Sequence, residues 1–301
     1  MWTHRRFTAR SDASASRNET LHYHLFTPHS QPAAEPQPPA ALLVWLHGGV
    51  ISSGVGNLGE VSTLTSPWLQ RQRPYHILYP VALPGTNWVD HYRAHAHVRL
   101  ALRRRPATSL ELLLRLLHEV VVPELGVQHS TMVLLGASMG GYGVWDVLLR
   151  HPSLFGAFVP ISGGGDYQAT DALVRCTRAR LWAFHSREDA LVPVNASRRM
   201  VTALAATRLP LGKRIHTNGS GMMLAVRQLA DRHVPSRGNR SSALVTALES
   251  SSADGAIRYT EYQGAGSIWT RHQQTVGLAL TEPRLHRWLW LERAQGGGMG
   301  T

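Results

Sequence analysis

The chain has 301 residues, 43% of them hydrophobic, and a formal net charge of +12. This length allows one large α/β domain or two small ones. No apolar run reaches the roughly 18–20 residues of a membrane helix, and the only cysteine, Cys176, excludes an internal disulfide and a thiolate metal cluster. The positive charge is almost all arginine and is scattered, so a nucleic-acid partner, which salt-dependent binding would reveal, is the least favoured interpretation.

The first 20 residues are basic and contain no apolar stretch of the kind found in secretory signals. Arginine and serine dominate this segment, so we expect residues 1–20 to be disordered. Residues 21–291 are expected to form a single domain, and residues 292–301 a flexible tail. We predict a cytoplasmic protein without stable membrane insertion; organelle targeting by the Arg/Ser-rich N-terminal segment is the alternative interpretation.

Short apolar or alternating runs predict strands in the first half of the domain. The predicted elements are strands at 21–27, 41–46 and 75–80, a proline-rich loop at 31–40, and a helix from Thr108 or Ser109 to about Val121. The run at 41–46 is continuously apolar, which is typical of a strand buried on both faces. It ends in His47, Gly48 and Gly49.

The second half alternates strand and helix patterns. In chain order they are a strand at 132–135, a helix at 144–150, strands at 154–161 and 180–185, a helix from Asn195 or Ser197 to Ala206, a strand at 257–262 and a helix at 281–291. This alternation predicts an α/β fold with a mostly parallel central sheet and helices on both faces.

One glycine pattern in the first half has the spacing of a dinucleotide fingerprint, at Gly54, Gly56 and Gly59. Such a turn must begin directly at a strand end and open a helix, with an acidic residue about 20 positions later. The preceding strand ends near residue 46, and no acidic residue stands at the expected place. We therefore reject a nucleotide cofactor, and we predict no cofactor of any kind.

A histidine cluster follows, with His91, His95 and His97 beside Asp90. This spacing could suggest a metal site, but no second carboxylate or cysteine completes a ligand set. Histidine is also frequent throughout the chain, with 17 in all. We predict no metal here.

The segment at 136–140 reads G-A-S-M-G, between the strand at 132–135 and the helix at 144–150. Strand, sharp turn and helix form the context of a nucleophile elbow. A Cβ at Gly136 or Gly140 would clash with a neighbouring element, and the turn forces Ser138 into a strained conformation. A plain glycine-rich turn is the alternative interpretation.

Acyl transfer by serine needs a nucleophile, a base, a group that orients the base, and donors for the oxyanion. Ser138 is the candidate nucleophile, and the backbone N–H groups of Met139 and Gly49 are the candidate oxyanion donors. Asp189 follows the strand at 180–185 and is the candidate orienting acid. A loop carboxylate before Pro193 is the alternative for Asp189. In a parallel sheet these groups share the rim at the carboxyl ends of the strands.

Five segments appear in order: L-V-W-L-H-G-G, G-A-S-M-G-G-Y-G-V-W-D, S-G-G-G-D, W-A-F-H-S-R-E-D-A-L-V-P-V and Y-T-E-Y-Q-G-A-G. They resemble the phospholipase/carboxylesterase branch of the α/β-hydrolase superfamily, near the dienelactone-hydrolase-like esterases and predicted peptidases. The resemblance covers roughly residues 21–289. It implies an α/β-hydrolase fold with Ser138 as nucleophile and Asp189 as triad acid. It also implies that His185 is structural and that His47 is a turn residue.

The chain departs from this family where the triad histidine should stand. The family's last motif is G-x-G-H, whereas here Gly266 is followed by Ser267 and Ile268. His272 is the nearest candidate base, but it lies more than one helical turn beyond the expected place. We expect His272 to be a surface histidine on the following helix, able to serve only if the loop repacks.

A second departure is a polar segment at 209–256, where the family has a short loop. Only residues 222–229 look helical, and we favour a disordered loop over a lid. The tetrapeptide V-T-A-L at 201–204 recurs at 245–248, which hints at a local duplication.

Two functions follow from these residues. The first is a serine hydrolase that cleaves small-molecule carboxylic esters. The second is a catalytically impaired homologue that lacks the triad histidine and acts as a binding protein. Loss of a triad histidine costs on the order of 10⁶ in turnover in a well-studied serine protease, so the two hypotheses differ sharply in expected activity.

Overall fold

In the computed structural model, the residues described are 1–10, 18–28, 39–49, 57–90, 100–173, 180–207, 225–234, 243–252, 255–264 and 268–290. The strands within these ranges are β1 (Trp2–Arg10), β2 (Asn18–Phe26), β3 (Leu42–Leu46), β4 (His76–Val81), β5 (Met132–Ala137), β6 (Ala157–Ile161), β7 (Arg180–Ser186), β8 (Ala225–Val234), β9 (Ala243–Ser251) and β10 (Ile257–Gly264).

Helices lie between these strands. They are α1 (Pro67–Gln72), α2 (Thr108–Leu116), α3 (Val122–Leu125), α4 (Met139–Arg150), α5 (Asn195–Ala206), α6 (Ile268–Leu280) and α7 (Pro283–Trp290). A π-helical turn at Leu117–Val121 joins α2 to α3, and short 3₁₀ helices lie at Leu58–Thr65, His129–Thr131 and Tyr167–Leu173. Among the described helices, none has both the length and the apolar character needed to cross a membrane.

The described strands form one sheet in the order β1-β2-β4-β3-β5-β6-β7-β10-β9-β8. The six central strands, from β4 to β10, pair in parallel. At one edge β1 and β2 pair antiparallel, and at the other edge β9 and β8 do the same. The carboxyl ends of the central strands therefore meet at one rim of the sheet.

Side chains of the central strands alternate between two buried layers. In β3, Leu42, Val44 and Leu46 pack into one layer with residues of α2, α4 and α5. Leu43 and Trp45 pack into the other with residues of α6 and α7. Helices thus cover both faces, which explains why this strand is apolar at every position. The predicted fold class, a mostly parallel sheet with helices on both faces, is confirmed.

The N-terminal segment differs from expectation. Trp2–Arg10 is a strand paired along its length with Asn18–Phe26, so disorder at 1–10 and 18–20 is wrong; residues 11–17 lie outside the described residues. Phe7 and Ala9 alternate with polar residues and bury their side chains. The alternation of period two outweighs the basic composition, because a strand needs only one apolar face.

The polar segment at 209–256 also differs. Its described parts, β8 and β9, extend the sheet beyond β10, so the expectation of a disordered loop is wrong for 225–234 and 243–251. The helix expected at 222–229 is a strand over its described residues, 225–229. An open sheet edge offers a row of backbone donors and acceptors, which added strands satisfy whatever their composition.

Candidate active site

The chain makes a sharp turn between β5 and α4 at Ser138. Its φ of 55° and ψ of −118° lie outside the regions that non-glycine residues usually adopt. A Cβ added to Gly136 would lie 2.5 Å from the carbonyl oxygen of Gly140, and one added to Gly140 would lie 1.9 Å from that of Leu46. Both glycines are therefore required by close backbone approach, as the sequence predicted.

Backbone hydrogen bonds hold the strand ends around this turn. The Ser138 N–H donates to the Ile161 carbonyl at 2.9 Å, at the end of β6. The Ser162 N–H donates in turn to the Phe184 carbonyl of β7 at 2.8 Å. The carboxyl ends of β5, β6 and β7 therefore follow one another along the rim, about 5 Å apart per strand.

The turn after β3 lies against the same serine. A Cβ built on Gly48 would be 3.6 Å from the Ser138 Cβ, so the backbone at Gly48 passes beside that side chain. Gly49 follows and is exposed. Met139 is the first residue of α4, where backbone N–H groups have no acceptor within the helix. Both candidate oxyanion donors thus adjoin the residues that surround Ser138.

His272 is buried, so its expected surface position is wrong. Its Nδ1 lies 2.6 Å from Oδ2 of Asp189, and the two side chains are 9% and 0% exposed. A carboxylate only accepts hydrogen bonds, so Nδ1 is the donor. When the ring is neutral, Nε2 then carries the lone pair and can accept a proton. Helix α6 begins at Ile268, and its first turns bring His272 over the loop after β7.

Asp189 is held by several donors. Its Oδ1 accepts from the N–H groups of Leu191 and Val192, both at 3.0 Å. Burial alone raises the pKa of the Asp189 carboxyl, but the adjacent His185 ring and the hydrogen bond from His272 outweigh burial and leave the pKa well below its ordinary value. The group is therefore a carboxylate at neutral pH. The alternative, an ordinary loop carboxylate before Pro193, does not describe this environment.

Two other histidines lie at strand ends on the rim. His47 donates from Nδ1 to the Gly48 carbonyl at 2.7 Å, and its Nε2 accepts from the Ala82 N–H at 3.0 Å. Burial lowers the pKa of His47 to about 4. With both ring nitrogens engaged by backbone, His47 has the contacts of a turn residue and not of a base.

The family resemblance implied only a structural role for His185. Its Nε2 lies 3.5 Å from Asp189 Oδ2, so it contributes to the low pKa of that carboxyl. The two residues are four positions apart at a strand end, so the chain itself brings this ring beside the carboxylate.

The histidine cluster and the glycine pattern, for which we predicted no metal and no nucleotide, lie partly within the described residues. His91, His95 and His97 lie outside the described residues, as do Gly54 and Gly56. Gly59 stands in the 3₁₀ helix Leu58–Thr65, where its N–H donates to the side chain of Asn57. Within the described ranges, no group of three or more histidine, cysteine, aspartate or glutamate side chains is arranged to hold a metal ion.

Comparison with known proteins gives a likeness in structure only. No protein family model matches the chain, and no curated protein is significantly similar to it in sequence. A thermostable esterase superimposes with a TM-score of 0.64 at 22% identity, over 96% of this chain and 62% of that chain. The present chain therefore spans about three fifths of that esterase's length.

Two Staphylococcus aureus structures are more distant. FphF, a fluorophosphonate-binding serine hydrolase with substrate bound, matches with a TM-score of 0.47 at 15% identity, over 69% of this chain and 88% of that chain. The S-formylglutathione hydrolase FrmB matches with a TM-score of 0.48 at 14% identity, over 70% and 86%. The parallel sheet, the strand–turn–helix at Ser138 and the likeness to the thermostable esterase together show that this chain has the α/β-hydrolase fold.

Proposed function

We propose that the chain is a serine hydrolase that cleaves carboxylic esters through an acyl-enzyme, with Ser138, His272 and Asp189 as its triad. The observation that carries this proposal is the 2.6 Å hydrogen bond between His272 Nδ1 and Asp189 Oδ2. It joins a buried carboxylate to an imidazole whose other nitrogen can act as a base. The type of activity, carboxylesterase or phospholipase, follows from the sequence resemblance.

In the first half of the reaction, the Ser138 hydroxyl attacks the ester carbonyl carbon while His272 Nε2 takes its proton. The carbonyl oxygen becomes an oxyanion, and the N–H groups of Met139 and Gly49 stabilise it. The tetrahedral intermediate collapses, the bond to the alcohol oxygen breaks, and that oxygen takes the proton from His272. An acyl-enzyme ester on Ser138 remains.

In the second half, water attacks the acyl carbon and His272 takes one of its protons. The second tetrahedral intermediate collapses, His272 returns the proton to the Ser138 oxygen, and the carboxylic acid leaves. Asp189 keeps the imidazole in one tautomer and stabilises its charged form. This sequence of steps requires no metal or organic cofactor.

The spacing of the rim supports these roles. Ser138 follows β5 and Asp189 follows β7, with one strand between them. Two strand spacings amount to about 10 Å between the backbones, so Ser138 and Asp189 lie on one short stretch of the rim, and His272 is anchored at its Asp189 end.

The competing hypothesis, an impaired homologue acting as a binding protein, was supported by the missing histidine after Gly266. The hydrogen bond between His272 and Asp189 supports His272 as a replacement base, and so favours the hydrolase. No described feature favours a nucleic-acid partner, and a cytoplasmic location stays a prediction.

Hydrolysis of a short-chain p-nitrophenyl ester tests the proposal. We expect activity in the wild type, and losses on the order of 10⁴- to 10⁶-fold in Ser138→Ala and His272→Ala. His118→Ala is the matched control, because His118 is exposed, and it should behave like the wild type. Wild-type activity no higher than the Ser138→Ala blank would contradict the proposal, as would full activity in His272→Ala.

A further inference from the structure

His185 is a completely buried histidine at the end of β7, with a polar neighbour at each ring nitrogen. Nδ1 lies 2.7 Å from the hydroxyl of Ser197 on α5. Nε2 lies 2.8 Å from the carbonyl oxygen of Val192 and 3.5 Å from Oδ2 of Asp189. These contacts join β7, the loop that carries Asp189, and α5.

The protons in this network can be assigned from its acceptors. A carbonyl oxygen cannot donate, so His185 Nε2 must carry a proton to bond Val192. The Ser197 hydroxyl lies 2.8 Å from the Gly163 carbonyl, and its single proton makes that bond. The Ser197 oxygen is then free to accept from His185 Nδ1. With a proton on each ring nitrogen, all three hydrogen bonds are made, and the ring would be an imidazolium.

A neutral His185 ring would leave one of these hydrogen bonds unmade. It would need the Ser197 proton to point at His185 Nδ1, which leaves the Ser197 and Gly163 oxygens 2.8 Å apart with no proton between them. A buried cation needs a compensating charge, and the Asp189 carboxylate beside Nε2 supplies one.

We propose that His185 is a positively charged positioning residue of the candidate triad, which fixes the Asp189 loop and shares the Asp189 carboxylate with His272. This inference rests on the proposed function for its catalytic consequence, whereas the charge of His185 is inferred from the hydrogen-bond network without it.

The two histidines contact the same carboxylate oxygen, Asp189 Oδ2, at 3.5 and 2.6 Å. A positive charge on His185 therefore opposes a second positive charge on His272. It offsets part of the stabilisation that the Asp189 carboxylate gives to the protonated ring of His272 during the reaction.

Charged groups on the other elements around His185 are already paired. Glu261 of β10 is its neighbour in strand register, and Arg198 of α5 binds that carboxylate at 2.6 and 2.8 Å. Hydrogen bonding to Glu261 raises the pKa of Arg198. Burial alone would raise the pKa of Glu261, but the bonds from Arg198 outweigh burial, and the pKa of Glu261 is lowered overall. Both stay charged near neutral pH, so within the described part of the chain Asp189 is the ionised group beside His185, and Asp189 in turn binds His272.

NMR of the ring nitrogens tests the charge without requiring turnover. In the ¹⁵N-labelled wild type at pH 7, we expect His185 to show two ring N–H protons, assigned by their disappearance in His185→Gln. Ser197→Ala, which keeps the ring but removes its Nδ1 acceptor, gives a second assignment if His185→Gln does not fold. A single protonated ring nitrogen on His185 overturns the proposal, whatever the activity.

The pH profile of kcat/KM on the p-nitrophenyl ester tests the consequence. Removing the charge in His185→Gln should shift the acid limb to higher pH by about one unit, and Ser197→Ala should shift it in the same direction by less. A purely structural role would lower activity without moving the limb, and an unmoved limb contradicts the positioning role. Absence of wild-type turnover would contradict the proposed function, while the NMR result would still decide the charge of His185.

Discussion

The two halves of the candidate triad are built in different ways. Ser138 sits in a turn whose shape is dictated by its immediate neighbours, because a Cβ at Gly136 or Gly140 has no room. His272 and Asp189 are 83 positions apart and meet only because α6 packs over the loop after β7. Local sterics thus specify the nucleophile, whereas tertiary packing specifies the base. A short motif can reveal the first kind of site but not the second.

The largest expected effect concerns the His272–Asp189 pair, which tertiary packing brings together. In Asp189→Asn the backbone donors to the side chain can remain, but the amide cannot hold the His272 tautomer that a carboxylate holds. We expect kcat to fall by about 10⁴-fold, or about 5.5 kcal/mol of transition-state free energy. Steady-state kinetics on the p-nitrophenyl ester measures this. A fall below tenfold would mean that the His272–Asp189 bond has no role in turnover.

The variant Gly140→Ala tests the turn that carries Ser138. The new methyl group would lie 1.9 Å from the Leu46 carbonyl oxygen, so we expect a loss of unfolding free energy of about 3 kcal/mol or more. Gly277→Ala on α6 is the matched control, because no atom lies within 4 Å of a Cβ there. In that exposed helix position alanine should be neutral or stabilise by about 1 kcal/mol. Equal stabilities in urea denaturation would contradict the steric account of the turn.

The free energy of unfolding should depend on pH through Asp189. Its folded-state pKa is lowered, so its ionisation stabilises the fold above the unfolded pKa of about 4. This contribution is lost as the pH falls from about 5 towards the lower folded pKa. Urea denaturation between pH 3 and 7 should show a steeper loss for the wild type than for Asp189→Asn. Parallel curves would show that the carboxylate is not stabilised by folding.

The smallest expected effect concerns an ion pair between residues that are far apart in the sequence but exposed to solvent. Arg5 of β1 and Glu124 of α3 are 119 positions apart, and their side chains meet at 2.7 Å while 36% and 41% exposed. Solvent screens such a pair, so Arg5→Ala should cost only about 0.5 kcal/mol. A loss above about 2 kcal/mol in the same denaturation assay would show that β1 depends on this ion pair.

The same contrast explains what the sequence could predict. The parallel sheet, the nucleophile elbow and the position of Asp189 at a strand end all follow from short patterns in the sequence. The tetrapeptide V-T-A-L shows the limit, since residues 201–204 lie in helix α5 and residues 245–248 lie in strand β9. Four identical residues adopt both structures, so their neighbours in space decide between helix and strand.

His272 shows the same limit at the site. Its place was judged by distance along the chain from Gly266, and on that measure it belonged on the surface. In the structure, α6 is oriented so that the His272 ring is buried and contacts Asp189. No local pattern carries that information, because it depends on how α6 and the loop after β7 pack.

The central claim is that Ser138 is activated by His272. The most direct measurement is the site and rate of covalent modification by a fluorophosphonate ester, in which an activated serine oxygen displaces fluoride from phosphorus. We predict a mass-spectrometric adduct on Ser138 in the wild type and in His118→Ala, formed at least about 10³-fold more slowly in His272→Ala. An adduct on another residue, or equal rates in wild type and His272→Ala, would contradict the account.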